Sequence, residues 1–200
     1  MPTVTDADSN AIQIPGNRAL EGAYVLRVQV AGDLQVHFGR FQQGRPLTLT
    51  SGTYLYVGSA MGGGAPLGRR IVRHLTRCEP LPPHRLRQIF ISTFTGVAPH
   101  AGDLLPRRPK RLHWHIDYLL DHLQAEVTGV IALRSQLRHE ATIAAQLAAD
   151  PTTSPVAPGL GASDNRGATH LLRCNGDAGW WRRFGSEWTT RLDQEAARNP

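Results

Sequence analysis

The clearest alternation along the chain is YVLRVQVA at residues 24–31, where apolar and polar positions trade places with a period of two, as in a half-buried strand. Residues 34–41 (LQVHFGRF) alternate in the same way. Gly32-Asp33 between the two runs predicts a hairpin, although this dipeptide order is not the strongest turn signal. A short extended piece follows at 47–50. Residues 53–59 (TYLYVGS) form another strand, with Tyr54 and Tyr56 on one face, Leu55 and Val57 on the other, and Gly58 leaving space beside the tyrosines.

The period then changes. A glycine-rich turn at 62–64 leads to Pro66, a residue suited to a helix start, and the spacing of Leu67, Ile71, Val72 and Leu75 predicts a helix over 67–77. Residues 88–94 (QIFISTF) carry strand propensity, and 112–123 (LHWHIDYLLDHL) favour a helix by length and by their lack of turn residues. Residues 126–133 read as a buried strand, 135–149 as a helix capped by Ser135, and 169–174 as a last strand. The fold expected is α/β (α+β): a small, mostly antiparallel sheet flanked by helices. Its expected divisions are a polar tail (1–19), one domain (20–175) and a basic aromatic segment (176–200) that is a short helix or a tail.

Composition narrows the class. Hydrophobic residues make up 40% of the 200, with no apolar run of about 18, so neither a membrane span nor membrane partner is expected. The polar, acid-bearing start lacks the apolar centre of a signal peptide, which makes the cytoplasm the expected location. Cys78 and Cys174 are the two cysteines and read as free thiols. The net charge of +6 rests on arginine, Lys110 being the sole lysine, and a small basic domain suits nucleic acid.

Candidate chemistry concentrates between residues 52 and 75. On the predicted helix, Arg70 and His74 lie together on one border of the apolar stripe, where partial burial gives a side chain a fixed direction. Arg69 and Arg73 fall further toward solvent, as residues that contact backbone phosphates do. On the helix at 135–149, Leu137, Ile143, Ala144 and Leu147 define an apolar face with Glu140 in its middle. A carboxylate there must be paired, protonated or bound to a cation.

These motifs in this order resemble the GIY-YIG nuclease superfamily: Gly22-Ala23-Tyr24, then Tyr56-Val57-Gly58, then Arg70 with His74 four residues on, then Glu140 in a later helix. YVGSA, HWHIDYLL, HE and GASD followed by THLL resemble its Uri-type branch, sometimes found beside DNA-repair domains. The resemblance covers about residues 20–175. It implies a divalent-metal-dependent endonuclease acting on DNA phosphodiesters, with Mg²⁺ (or Mn²⁺) held by Glu140, and a DNA-repair protein as a partner. Tyr24 or Tyr56 would help activate water, Arg70 would steady the charge on the phosphate, and His74 would lie beside it.

The two tyrosine motifs stand further apart here than in typical members. The intervening segment therefore reads as an inserted hairpin, and Tyr54 competes with Tyr24 as the partner of Tyr56. Gly58, Ser59, His115, Asp117, Ser163, Asp164 and His170 are expected to line the site. Two other readings stay open. One is a DNA-binding accessory module without activity; the other is a zinc-dependent hydrolase built on His113, His115 and Asp117, which would share a face if 112–123 were a strand. Trp180, Trp181, Arg182 and Arg183 combine rings and guanidinium groups as single-strand binders do, but a tryptophan pair more simply packs the segment onto the domain.

Overall fold

The computed structural model describes residues 11–62, 65–161 and 169–198. A six-stranded sheet forms its middle layer. The strands are β1 (Ile12–Gln13), β2 (Gly22–Val30), β5 (Gly52–Ala60), β6 (Ala125–Arg134), β7 (Thr153–Pro155) and β8 (Leu171–Cys174), in the order β1-β6-β2-β5-β8-β7. Only the β1–β6 pairing is parallel. The expected fold class is the one observed.

Alternation along the central strands sends side chains to two separate cores. Tyr24, Leu26, Val28, Tyr54 and Tyr56 face α1 (Leu67–His74), α2 (Leu86–Val97) and α3 (His115–Leu120). Ala23, Val25, Leu55 and Val57 face α4 (Glu140–Ala149) and α5 (Ala178–Arg198). Burial of this apolar surface on both faces is the main stabilising term of the three-layer arrangement.

Several local expectations are corrected. Residues 24–31 and 34–41 do not form a hairpin, because both edges of β2 are taken by β5 and β6. Gly32 adopts no positive φ, so the tight turn that would fold one run back on the other is absent. Instead β3 (Leu34–Val36) pairs with β4 (Leu47–Leu49), a separate two-stranded sheet that realises the expected insertion between the tyrosine motifs. Residues 88–94 are helical: Leu86, Phe90 and Phe94 recur every four residues as a buried stripe, which outweighs their strand propensity.

Three helices are shorter than expected, the first being α1, which ends at His74 rather than at residue 77. The Asp117 carboxylate accepts the backbone N–H groups of His113 (2.9 Å) and Trp114 (3.0 Å), so α3 begins only at His115. Ser135 spends its Oγ on the Leu137 N–H (3.0 Å) in a local turn, α4 starts five residues later, and Leu137 is exposed. At the ends, Ile12–Gln13 joins the sheet beside β6, and α5 runs 21 residues with Trp180, Trp181, Phe184, Trp188 and Leu192 buried. The tryptophan pair therefore packs rather than presenting free rings. Among the described residues no helix is long and apolar enough to cross a membrane.

Candidate functional site

The start of β2 and the ends of β5 and β6 meet at one end of the sheet, where Gly22 lies opposite both Ala60 and Arg134. Helix α1 leaves from this end after β5, and α4 leaves from it after β6. Tyr24, Tyr56, Arg70, His74 and Glu140 are thereby gathered from separate parts of the chain.

Tyr24 sits directly across from Gly58. A Cβ at position 58 would lie 2.4 Å from the Tyr24 hydroxyl and 2.5 Å from its ring, so the tyrosine fills the space that a side chain would occupy. Its hydroxyl donates to His74 Nε2 at 2.8 Å. The Tyr24 and Tyr56 ring centroids are 6.3 Å apart, and that of His74 is 5.9 Å from Tyr56. Tyr54 shares their face but donates its hydroxyl to the Thr50 carbonyl at 2.7 Å. Of the two, Tyr24 is the one that meets His74 and lies beside Tyr56.

Behind His74 stands Asp117, fully buried. It accepts Arg73 Nη1 (3.0 Å) and Nη2 (2.9 Å), lies 3.7 Å from Lys110 Nζ, and places Oδ1 3.5 Å from His74 Nδ1. That last approach is too long for a good hydrogen bond, but a carboxylate there favours the tautomer with its proton on Nδ1. The tautomer is assigned from these neighbours, and it leaves Nε2 to accept the Tyr24 hydroxyl.

Burial lowers the His74 pKa to about 4, so the ring is neutral at pH 7. Burial works to raise the Asp117 carboxyl, but His74, Arg73 and Lys110 together hold it well below the usual range. Both site tyrosines are raised, first by burial; Tyr56 and Glu140 add to the effect on Tyr24, and Glu140 and Asp117 to that on Tyr56. Arg70 opposes the rise at both and also helps lower Glu140, so its positive charge reaches all three groups. Its guanidinium lies 4.9 Å above the Trp114 ring, and its Nε has no hydrogen-bond partner among the described residues.

Glu140 occupies the first turn of α4 and is half-buried at the end of the sheet, rather than central in an apolar helix face. Ser59 donates its hydroxyl to Oε2, while Oε1 lies 3.3 Å from His170 Nδ1. Burial would raise this carboxyl, but His170, Ser59 and Arg70 lower it overall. His170 Nδ1 is buried and makes no hydrogen bond among the described residues. A carboxylate and an imidazole nitrogen 3.3 Å apart, the nitrogen without a well-formed hydrogen bond, are a donor set that fits a divalent cation.

The remaining expected residues divide. His115 lies at the same end, its Nδ1 3.4 Å from the Gly161 N–H; a Cβ on Gly161 would touch both His170 and Tyr56. Arg69 and Arg73 do not point freely to solvent: Arg69 is bound to the Asp103 carbonyl (2.7 Å), and Arg73 to Asp117 and the Arg111 carbonyl (2.7 Å). Ser163 and Asp164 lie outside the described residues. His113, His115 and Asp117 do not form a metal cluster, since the Asp117 carboxylate is enclosed by cations and backbone N–H groups. Among the described residues no group of three or more His, Cys, Asp or Glu is placed to hold a metal.

Sequence reading missed Lys110. It is buried and pairs with Asp121 at 2.8 Å. Its being the sole lysine of an arginine-rich chain was the one available signal. No curated protein and no solved structure matches the chain. A family model described as Domain of unknown function DUF123 matches residues 23–184, most of the chain, and the protein belongs to that family.

Proposed function

We propose that the chain is a divalent-metal-dependent endonuclease of the GIY-YIG type, Uri-type branch, hydrolysing DNA phosphodiester bonds in repair or processing, alone or beside a DNA-repair partner. The observation that carries this reading is the hydrogen bond from Tyr24 to a neutral His74, set beside Tyr56, Arg70 and Glu140. Tyrosines with raised pKa values are poor bases if they must first ionise. Here ionisation is unnecessary. As the Tyr24 oxygen takes a proton from the attacking water, its own proton passes along the existing bond to His74 Nε2, and Asp117 behind the ring offsets part of the cost of burying the imidazolium.

Arg70 complements the charge that builds on the phosphoryl oxygens. Glu140 would hold Mg²⁺ or Mn²⁺, which when bound polarises the phosphate. Ser59 orients the Glu140 carboxylate, and Tyr56, the more open of the two tyrosines, lines the approach.

A second reading, a DNA-binding module without cutting, draws on the depth of Tyr24, which is 1% exposed. One experiment separates them. Single-stranded, duplex, flap and junction DNAs are incubated with the protein and Mg²⁺ or Mn²⁺; metal-dependent cutting is expected, with Arg70→Ala and Glu140→Ala abolishing it while leaving the fold intact. If the wild type binds but cuts nothing, or if both variants still cut, the hydrolytic mechanism is wrong.

A further inference from the structure

We propose that His170 is a second protein ligand of the Glu140 metal site, and that the resulting Glu–His pair selects a first-row transition cation of the Mn²⁺ kind over Mg²⁺. The inference rests on the nuclease reading for Glu140 and extends it to a residue outside α4, immediately before β8.

The His170 backbone is held on both sides: its N–H donates to the Leu160 carbonyl (2.9 Å) and its carbonyl accepts the Val57 N–H (2.9 Å). The imidazole is 9% exposed, and neighbouring Gly161 leaves it room, since a Cβ there would come within 3.1 Å of the His170 Cβ. Ser59 occupies Oε2 of Glu140 and leaves Oε1 facing His170 Nδ1.

At 3.3 Å the imidazole nitrogen and the carboxylate are within ion-pair reach of each other, but the nitrogen has no well-formed hydrogen bond among the described residues. Two donor atoms close together but not bonded to each other have the spacing of adjacent ligands on one ion. With metal–ligand bonds of ~2.1 Å at right angles, such atoms lie ~3 Å apart. The carboxylate suits Mg²⁺ and Mn²⁺ alike, whereas an imidazole nitrogen adds affinity for transition cations and little for Mg²⁺, which prefers oxygen. Two protein ligands leave the other positions to water and phosphate oxygens, as a site acting on a phosphodiester requires.

The test is Mn²⁺ binding to the full chain without DNA, followed by electron paramagnetic resonance titration. Spin-echo detection of ¹⁴N modulation adds a direct readout of imidazole ligation, and Mg²⁺ serves as competitor. Wild type should show ¹⁴N modulation. His170→Gln, which keeps much of the side-chain volume, should lose the modulation and bind Mn²⁺ at least about tenfold more weakly, the least that even outer partners of a metal contribute. Mg²⁺ affinity should stay unchanged. His170→Ala, checked for folding by circular dichroism, should repeat the result.

Retained modulation, equal Mn²⁺ affinity in both variants, or no Mn²⁺ binding by wild type overturns the proposal. If the His170 variants match wild type while Glu140→Gln loses both binding and cutting, His170 is no ligand and the nuclease reading stands. If wild type binds Mn²⁺ through His170 but cuts none of the DNAs, the ligand assignment stands and the nuclease reading falls.

Discussion

Replacing Gly58 by alanine tests the packing on which the site depends. The new Cβ would stand 2.4 Å from the Tyr24 hydroxyl and 2.5 Å from the ring carbon bearing it, where ordinary contact begins near 3.4 Å. Tyr24 must therefore shift by about 1 Å, and it is enclosed between β2, β5 and α1. Overpacking of this kind costs about 1–3 kcal/mol. The shift also breaks the 2.8 Å bond to His74, and a buried hydroxyl left unpaired adds about 1–3 kcal/mol. The expected total is about 2–6 kcal/mol, read as a fall in the urea midpoint with an unchanged slope. DNA cutting should fall with it, measured below the onset of unfolding.

The cause is checked in a Tyr24→Ala background. There the atoms that the new methyl meets are gone, so Gly58→Ala should cost under about 1 kcal/mol, giving a coupling energy of at least about 1 kcal/mol. Equal costs in the two backgrounds would refute the reasoning, as would a Gly58→Ala protein as stable as wild type.

Acid should destabilise the fold through His74. With a folded pKa of about 4 against an unfolded value of 6.5, the unfolded chain binds the proton first, so stability is full above pH ~6.5 and falls by about 3 kcal/mol as pH drops to ~4. Asp117, depressed further still, continues the loss below its unfolded pKa of ~3.9; urea melts from pH 8 to 3 should trace this slope, and His74→Gln should flatten its upper part. Asp117→Asn leaves Arg73 and Lys110 facing a neutral amide and should cost about 3–5 kcal/mol, measured by chemical denaturation. Tyr54→Phe should lose about 1 kcal/mol of stability with cutting unchanged, whereas Tyr56→Phe should impair cutting more than folding; the reverse order in a paired assay would reassign the tyrosines.

Periodicity was enough to identify the central strands, the arginine helix and the face shared by Tyr54 and Tyr56, because alternation and the 3.6-residue repeat are written in the order of side chains. The same local rules failed at residues 88–94, where β-branched and aromatic residues imitate a strand until Phe94 is seen pressed against Gly68 of α1. They failed again at the Gly32-Asp33 junction, because no local signal says that β5 and β6 already occupy both sides of β2.

The site shows the same division. Motif order singled out Tyr24, Tyr56, Arg70, His74 and Glu140, each of which lies at one end of the sheet. Which tyrosine meets His74, which arginine is consumed by Asp117, and why Glu140 faces His170 depend on contacts between residues 30 to 50 positions apart. Such contacts come from strand pairing and from the burial of two opposite faces. Those are free-energy terms of the whole chain, and no window of neighbouring residues contains them.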